Sequence, residues 1–349
     1  MTKRKITVAV TGLNNIDSPG PGIPVIRGLK DSKEFDFRII GLSYETMEPG
    51  IYMNDLVDKS YQIPLPSAGM EPLLERLRYI NYKENIDVVI PNFDAELYNF
   101  IKLSSILKNE LGISSLLPDI DLFESRHKSK LCEFGEKYDI LVPKSKMIFS
   151  VNELIDNEKE FEYPMVVKGQ YYDASIAATR EQAISYFHKI SNKWGLPIIL
   201  QQFVSGTEVN VTALGDGKGN CIGAVPMRKM YITDKGKAWA GITLDDKKLL
   251  EISKKTVENL KWAGGCELEY IKSKEGKYYL LEMNPRFPAW VYLANGAGQN
   301  HPEAMIKIAL GEDVPCFENY EVGKLFIRYS YDLIVDISEF EKIAILGEK

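Results

Sequence analysis

The stretch from Leu280 to Ala289 constrains the fold of this chain more than any other, because its polar residues recur at every second position. Glu282, Asn284 and Arg286 stand at positions i, i+2 and i+4. In an extended strand, these three side chains leave the same face of the backbone. The alternating apolar residues are then expected to face a core: Tyr279, Leu281 and Met283. An ordinary edge strand that has one polar face and ends at Pro285 is the alternative explanation.

An acidic residue further upstream is harder to explain by an edge strand alone. Glu269 lies thirteen residues before Glu282, in a short apolar stretch that predicts another strand. Residues 273–277 predict the turn of a hairpin, and a hairpin of this length brings Glu269 across from Glu282. Carboxylate and amide oxygens suit Mg²⁺, which binds few protein carboxylates and leaves positions for phosphate oxygens. The predicted metal ligands are therefore Glu269, Glu282 and Asn284, with Arg286 placed to hold a phosphoryl group or a carboxylate.

The composition excludes several classes of partner. At 349 residues, the chain is long enough for two or three domains. Its net charge of −6 and isoelectric point near 5.4 argue against a nucleic-acid or anionic-membrane partner. The basic start is followed only by a strand-length apolar run, so we expect no signal peptide and no membrane span. The four cysteines lack the spacing of a metal site or a redox pair, and the expected location is the cytoplasm.

Strands and helices alternate along the first third of the sequence, which predicts a small α/β domain with a parallel sheet. The predicted strands of this part are 6–10, 37–42 and 87–91, and the predicted helices are 23–29, 72–83 and 96–107. Pro118 ends the pattern. Beyond it we predict helices over 122–138, 180–193, 249–262 and 301–310, and strands near 146 and over 165–168, 198–203, 208–215 and 221–227. Residues 227–230 are expected to lie between strands.

The strand with Glu282, Asn284 and Arg286, preceded by the strand with Glu269, resembles a motif of the ATP-grasp enzymes, in particular the branch similar to carbamoyl-phosphate synthetase and biotin carboxylase. Several other motifs, separated along the chain, occur in the order of that family. The resemblance extends over about residues 5–315. It implies an α/β fold with a Rossmann-like, parallel-sheet domain over 1–118, followed by an α+β ATP-grasp domain over 119–330 with a mobile lid at about 139–203. Residues 331–349 either close the fold or form a dispensable extension. ATP and Mg²⁺ are the implied cofactors, with Mn²⁺ as a substitute metal.

The resemblance also implies which residues contact the phosphates of the nucleotide. Lys168, at the end of an apolar strand, and Lys128 are expected to reach them. Arg126 and Lys130 are close enough in sequence to take the place of Lys128. Without the family, the solvated end of a strand is the better explanation of Lys168, and an ordinary exposed basic helix start stays open as the explanation of the other three.

The loop 169–178 departs from the family pattern. The family usually has several glycines here, whereas this chain has one glycine and two tyrosines. Small residues such as Ser175 still permit the backbone to approach a phosphate group. Alternatively, the two tyrosines and Asp173 touch a second substrate.

The segment 201–208 resembles the hinge between the lid and the rest of the ATP-grasp domain. The resemblance places backbone groups of Phe203 and Val204 against the adenine. It places Gln201 at the amino group of the base, where the family often has Glu, and Glu208 at the ribose hydroxyls. Without the family, this segment is only a strand that ends at a turn.

The implied reaction is phosphoryl transfer from ATP to a carboxylate, followed by attack of an amine on the acyl phosphate. Arg286 and either Arg228 or Lys229 are expected to approach the transferred group, with a solvated basic surface as the alternative for the last two. The expected partners are small-molecule or peptide carboxylates and amines, and a homodimer is compatible with the sequence. Two other functions stay open: bicarbonate activation of the carboxylase or carbamoyl-phosphate type, and nucleotide binding without catalysis.

Two acidic residues follow the predicted strand 87–91, at a sheet edge where ligands of α/β domains collect. Either Asp94 or Glu96 is expected to meet the ammonium group of the second substrate, or to cap the helix that follows. Phe287 and Trp290 are candidates for a pocket wall, with packing in the core as the alternative.

Overall fold

The computed structural model describes residues 3–170 and 173–349 of the chain. Within these ranges the strands are β1 (Arg4–Val10), β2 (Asn15–Ile16), β3 (Ser18–Pro19), β4 (Phe35–Ser43), β5 (Lys59–Gln62), β6 (Val88–Ile90), β7 (Ser145–Ile148), β8 (Met165–Gly169), β9 (Ala174–Ala177), β10 (Ile198–Gln202), β11 (Gly206–Asp216), β12 (Cys221–Ile232), β13 (Ala238–Thr243), β14 (Ala263–Ser273), β15 (Tyr278–Asn284) and β16 (Leu325–Ile327).

The helices in the same ranges are α1 (Gly22–Lys30), α2 (Met70–Glu84), α3 (Asp94–Leu111), α4 (Ile120–Ser125), α5 (Leu131–Tyr138), α6 (Val151–Asp156), α7 (Arg180–Trp194), α8 (Lys247–Asn259), α9 (Tyr292–Gly296), α10 (His301–Ala309) and α11 (Ile337–Leu346). None of these helices has the length and apolar character needed to cross a membrane.

Two compact units make up the chain. The first contains Met1–Ile120, Asn210–Glu267 and Asn284–Lys349, and the second contains Asp121–Val209 and Leu268–Met283. Three strands, β11, β14 and β15, therefore begin in one unit and end in the other.

The first unit contains a parallel sheet with the strand order β5-β4-β1-β6, which confirms the α/β fold predicted for the N-terminal part. β1 is buried on both faces. Val8 packs in a core that includes Val25 and Leu29 of α1, whereas Ala9 packs in a second core that includes Leu77 of α2 and Phe100 of α3. Near-continuous apolar runs are typical of parallel strands that are covered on both faces.

The end of the chain extends this parallel sheet next to β5. Ser60 N donates to Lys349 O at 3.0 Å, and Lys349 N donates to Ser60 O at 2.9 Å. The Lys349 side chain is buried and forms an ion pair with Glu339 at 2.6 Å. Ile343 of α11 packs in the same core as Val8 of β1. The last residues thus cover a sheet edge that would otherwise be open.

The first unit also contains an antiparallel sheet with the order β14-β11-β12-β13-β16, to which β11 and β14 contribute the parts that lie in this unit. β12 continues to Ile232, so the expectation that residues 227–230 lie between strands is wrong. Pairing with β13, in which Lys229 faces Gly241, holds this polar segment extended.

Phe287 and Trp290 are buried in the first unit, so packing in the core accounts for them rather than a pocket wall. Gly265 of β14 makes this packing possible. A Cβ atom at Gly265 would lie 2.4 Å from the Phe287 ring, closer than real Cβ contacts allow.

The second unit contains an antiparallel sheet with the order β7-β10-β8-β9. Its core includes Leu154 of α6, Val167 of β8 and Phe187 of α7. β9 occupies part of the region expected to be a phosphate-binding loop, and Ser175 faces Val167 in its register. Tyr171 and Tyr172 of that loop lie outside the described residues.

The continuous helix predicted over 122–138 is wrong in its middle. α4 ends at Ser125, residues Lys128–Lys130 form a short 3-10 turn, and α5 follows. The Ser125 hydroxyl donates to the Leu122 carbonyl at 2.9 Å, and His127 has a non-helical ψ of 143°. Serine side chains that bond to the backbone compete with helical hydrogen bonds, but no glycine or proline marks this break in the sequence.

Candidate active site

Lys168 is a buried cation on β8 of the second unit. The residue is only 7% exposed, and its ammonium group donates to Gln201 Oε1 at 3.1 Å. Burial, followed by the positive charge of Lys128, lowers the pKa of Lys168 to about 8, against the opposing effect of the Glu282 carboxylate. A cation held in this way favours an anionic ligand, which would replace the solvation that the ammonium group has lost.

An ion pair joins Lys128 and Glu282 in the same unit. Lys128 Nζ lies 3.0 Å from Glu282 Oε2, and the two side chains are 25% and 32% exposed. The Arg126 guanidinium instead lies over a neighbouring phenylalanine ring at 4.5 Å, and Lys130 is exposed. Lys128 is therefore placed beside Glu282, one of the predicted metal ligands.

The hinge residues are positioned by the end of β10. Gln201 is 4% exposed, and its amide nitrogen has no hydrogen-bond partner among residues 3–170 and 173–349. A buried donor of this kind fits an acceptor on a bound ligand. Phe203 and Val204 follow the strand end and are half-buried, as is Glu208 near the start of β11.

Asp173, considered as a contact for a second substrate, is already engaged by the protein. Its carboxylate accepts from Trp194 Nε1 at 2.8 Å and from Lys193 Nζ at 2.9 Å. The pKa of Asp173 is lowered by these bonds, first that from Trp194 and then that from Lys193. Both donors bond to Oδ2, so the protein itself holds this carboxylate in place.

The apolar alternation predicted for β15 is wrong in part. Its buried apolar residues are Tyr278, Leu280 and Met283. Tyr279 and Leu281 are only half-buried, so the buried positions do not keep one alternation along the whole strand. Glu282 is half-buried and Asn284 is buried, while Glu269 on β14 is half-buried.

Glu267 is the centre of a buried polar cluster in the first unit. Its Oε1 accepts from Trp290 Nε1 at 2.7 Å, and its Oε2 accepts from Asn284 Nδ2 at 3.1 Å. Asn210 Nδ2 lies 3.5 Å from Oε1. Sequence reasoning assigned Glu267 no role in the site. The available signal was the spacing of two glutamates at alternate positions of one strand, which puts both on the same face.

Arg286 is paired with Asp94, the acidic residue that begins α3. Its Nε and Nη2 atoms each lie 3.1 Å from Asp94 Oδ2, and its Nη1 lies 4.0 Å from Glu267 Oε2. The Arg286 side chain is 19% exposed and that of Asp94 is 46% exposed. The structure therefore brings together two residues that the sequence assigned separately, one to phosphoryl transfer and one to the second substrate.

Glu96 cannot bind a substrate ammonium group as it stands, because it is fully buried. Its Oε1 accepts from the backbone N–H groups of Asn92 at 2.7 Å and Phe93 at 2.9 Å, and the carboxylate also bonds to Thr11 and Tyr44. Burial raises the pKa of Glu96 to about 7, although these hydrogen bonds oppose the shift. Capping of α3 is therefore its role, and the expectation of a substrate contact is wrong for this residue.

Arg228 and Lys229 occupy neighbouring positions of β12, so their side chains leave opposite faces. Lys229 is half-buried and donates to Gly236 O at 3.2 Å. Arg228 is exposed and contacts Met230 Sδ at 3.7 Å. Lys229 is thus the more enclosed of these two cations.

Sequence reasoning missed Arg328, which follows β16. Its guanidinium donates to Ala289 O at 2.6 Å, three residues beyond Arg286. Burial lowers the pKa of Arg328 to about 10, against the attraction of Glu267. No motif marks this arginine, because its proximity to Glu267 depends on tertiary packing.

The donor chemistry of the predicted ligands fits Mg²⁺. Among the described residues, no group of three or more His, Cys, Asp or Glu side chains could hold a metal ion by itself. Glu269, Glu282 and Asn284 instead offer two carboxylates and one amide. Such a set suits Mg²⁺, which binds to few protein carboxylates and completes its octahedron with phosphate and water oxygens.

The predicted site residues divide between the two units. Those of the second unit are Lys128, Lys168, Ser175, Gln201, Phe203, Val204, Glu208, Glu269 and Glu282. Those of the first unit are Arg228, Lys229, Asn284 and Arg286.

Known proteins resemble this chain in sequence and in structure. Residues 196–325 match a family model described as ATP-grasp in the biosynthetic pathway with Ter operon. The carbamoyl phosphate synthase large chain of Clostridium botulinum (strain Alaska E43) is 26% identical over 330 residues, which cover 88% of this chain and 29% of that protein. This chain thus spans less than a third of the length of that relative.

Two solved structures show the fold. The biotin carboxylase domain dimer of Hydrogenobacter thermophilus 2-oxoglutarate carboxylase, in complex with MgADP, ADP and bicarbonate, has a TM-score of 0.67 and 17% identity, over 88% of this chain and 70% of that one. The L-amino acid ligase of Bacillus licheniformis has a TM-score of 0.65 and 17% identity, over 90% of this chain and 76% of that one.

Proposed function

We propose that this chain is an ATP-grasp enzyme, an ATP- and Mg²⁺-dependent ligase that activates a carboxylate as an acyl phosphate for attack by an amine. ADP and phosphate are the other products. No covalent enzyme intermediate is needed, because the phosphoryl group is carried by the substrate itself.

One observation carries the proposal: the Lys128–Glu282 ion pair stands beside the buried Lys168. Two lysines whose positive charges repel each other are stabilised when both contact the same anion. The phosphates of a nucleotide supply that anion. Once phosphate binds Lys128, the Glu282 carboxylate becomes available to a metal ion.

Each predicted residue then has a defined role. Glu269, Glu282 and Asn284 would hold Mg²⁺, and the bound metal would supply charge neutralisation for the phosphates. Arg286 offers a planar fork of donors that suits a carboxylate or a transferred phosphoryl group, and Lys229, rather than Arg228, supplies the second cation. The nucleotide-binding residues are Lys128, Lys168 and Ser175 for the phosphates, Gln201, Phe203 and Val204 for the base, and Glu208 for the ribose.

Amino acids or peptides are the proposed class of substrate for both the carboxylate and the amine. A structural neighbour named as an L-amino acid ligase supports this class. A second candidate function, activation of bicarbonate, is supported by the neighbour crystallised with bicarbonate. That neighbour is a domain dimer, and a homodimer is proposed for this chain as well.

Release of ADP tests the proposal. The purified chain is incubated with MgATP and separate pools of amino acids, dipeptides, small organic acids with amines, and bicarbonate with ammonium. We expect ADP and phosphate release from an amino-acid or dipeptide pool, and none when the pool or Mg²⁺ is left out. Turnover only with bicarbonate would favour the second candidate, and tight MgATP binding without turnover in any pool would indicate nucleotide binding without catalysis.

A further inference from the structure

We infer that Glu267 is a positioning residue that orients the side-chain amide of Asn284, so that the oxygen of this amide and not its nitrogen is presented to the metal. This inference rests on the proposed function, because it needs Asn284 to be a metal ligand. Glu267 itself is not a ligand in this scheme, since both of its oxygens are already used inside the protein.

The contact between Glu267 and Asn284 is buried on both sides. Glu267 is 6% exposed and Asn284 is 8% exposed, and the Asn284 Nδ2 to Glu267 Oε2 distance is 3.1 Å. A hydrogen bond to a charged group in such surroundings is stronger than one at the surface. The orientation of the Asn284 amide is therefore held before any ligand arrives.

The chemistry of an amide makes this orientation matter. The two ends of the Asn284 side chain have nearly the same shape, but only the oxygen can bind a cation. The Glu267 carboxylate accepts hydrogen bonds and cannot donate, so it must face Nδ2, which directs Oδ1 away from Glu267. A flipped amide would set its oxygen against a carboxylate oxygen in a buried place. Removal of a side chain that orients a metal ligand in this way typically lowers metal affinity by about 10- to 100-fold.

Other side chains hold Glu267 in its place. Trp290 Nε1 binds Oε1 at 2.7 Å, and Asn210 Nδ2 approaches the same atom. Two guanidinium groups face the carboxylate: Arg286, with Nη1 4.0 Å from Oε2, and Arg328. The carboxylate is thus fixed from one side by Trp290 and free to fix Asn284 from the other.

In the variant Glu267→Gln, the group that faces Asn284 changes from a hydrogen-bond acceptor to a donor. Its one side-chain oxygen is expected to keep the short bond from Trp290, which leaves its NH₂ group facing Asn284 Nδ2. Two donors cannot bond to each other, so the Asn284 amide should flip and turn its nitrogen to the metal. We expect the affinity for Mg²⁺, titrated into protein saturated with ADP and followed by calorimetry, to fall at least about tenfold. The affinity for ADP in the presence of EDTA should stay near that of the parent.

A second substitution should restore the site. In Glu267→Gln with Asn284→Asp, the new amide donates to one oxygen of the introduced carboxylate and leaves the other oxygen for the metal. In Asn284→Asp alone, two carboxylates are opposed in the place of the present 3.1 Å hydrogen bond. Glu267→Gln should therefore weaken Mg²⁺ binding in the parent background and strengthen it in the Asn284→Asp background.

This change of sign separates positioning from a structural role. If Glu267 only supports the fold, Glu267→Gln should weaken Mg²⁺ binding, or leave it unchanged, in both backgrounds, and either result overturns the inference. Should Glu267→Gln alone fail to fold, the comparison of Asn284→Asp with the double variant still decides. The control is Glu312→Gln, which removes a partly exposed carboxylate paired with Arg4 and should leave Mg²⁺ affinity unchanged. A parent chain that does not bind MgADP would instead overturn the proposed function.

Discussion

Replacement of Lys168 by methionine should stabilise the fold at pH 7 and weaken nucleotide binding at the same time. The folded chain holds the Lys168 cation in a place where it is 7% exposed and near Lys128. The fall of its pKa from the ordinary 10.5 to about 8 corresponds to a penalty of about 3 kcal/mol in the native state. Methionine removes the charge and also the bond to Gln201, whose loss costs about 1 kcal/mol. The expected net gain in the free energy of unfolding is about 2 kcal/mol.

The pH dependence of this gain follows from the sign of the pKa shift. Below about pH 8, the native and the unfolded chain both bind the Lys168 proton, and the full penalty is present. Between about pH 8 and pH 10.5, the unfolded chain still binds the proton while the native chain has released it. The contribution of Lys168 to stability therefore rises with pH in this window. The advantage of Lys168→Met over the parent should shrink there and finally reverse, because the lost hydrogen bond remains.

Urea unfolding at pH 7, 8, 9 and 10, followed by circular dichroism, measures this difference. The matched control is Lys146→Met, because Lys146 lies on β7 of the same sheet but its side chain is 51% exposed. A surface change of this kind should move stability by less than about 0.5 kcal/mol. A Lys168→Met chain less stable than the parent at pH 7, or a stability difference that is the same at pH 7 and pH 10, would contradict a destabilising buried charge at this position. On the functional side, the dissociation constant for ADP should rise at least roughly tenfold, and equal constants would make Lys168 an ordinary structural lysine.

Three further changes address other parts of the molecule. Glu282→Ala should abolish ADP release while circular dichroism stays unchanged, because a half-buried carboxylate contributes little to the core; parental turnover in this variant would remove Glu282 from the metal site. Arg286→Lys should lower kcat at least roughly tenfold, since lysine keeps the charge but loses the planar donor pair, while the melting temperature and ATP affinity hardly change. The reverse pattern, a lower melting temperature with normal turnover, would show that Arg286 mainly serves its pairing with Asp94. Deletion of residues 347–349 should lower the melting temperature, since it removes the backbone bonds to Ser60; an unchanged melting temperature would mark the segment as dispensable.

The buried parts of the fold could be predicted from the sequence because their signals are local. β1 and β8 are short apolar runs bounded by turns, and the predicted strands 6–10 and 165–168 agree with the structure to within two residues. The resemblance to ATP-grasp enzymes also rested on order and spacing, and the comparisons confirm it. Edge strands carried no such signal. β9 and β16 are three or four residues long and largely exposed, so only their partners hold them extended.

The candidate site could be predicted only as far as residue type and spacing reach. Lys168, Glu282 and Lys128 were identified from motifs, and the structure places them near one another. The roles of Glu267 and Arg328 depend on partners 17 to 61 positions away, which no local pattern encodes. The expectation that Glu96 contacts a substrate was wrong for a different reason. Its sequence position suits a ligand contact and a helix cap equally well, and only burial distinguishes the two.

The misjudged and missed residues share one property with the candidate site: they are polar or charged groups held inside the protein. Burial of the Lys168 cation, and of a Gln201 amide nitrogen that has no hydrogen-bond partner among the described residues, lowers the stability of the native chain. Such groups persist in a fold when a bound ligand offsets the free-energy cost of their desolvation. They therefore point to function more directly than exposed charges do. The gain in stability expected for Lys168→Met therefore bears on the whole nucleotide site and not on Lys168 alone. If it is found together with loss of nucleotide affinity, the destabilising charge exists for the ligand, and Gln201, which is its hydrogen-bond partner, belongs to the same site.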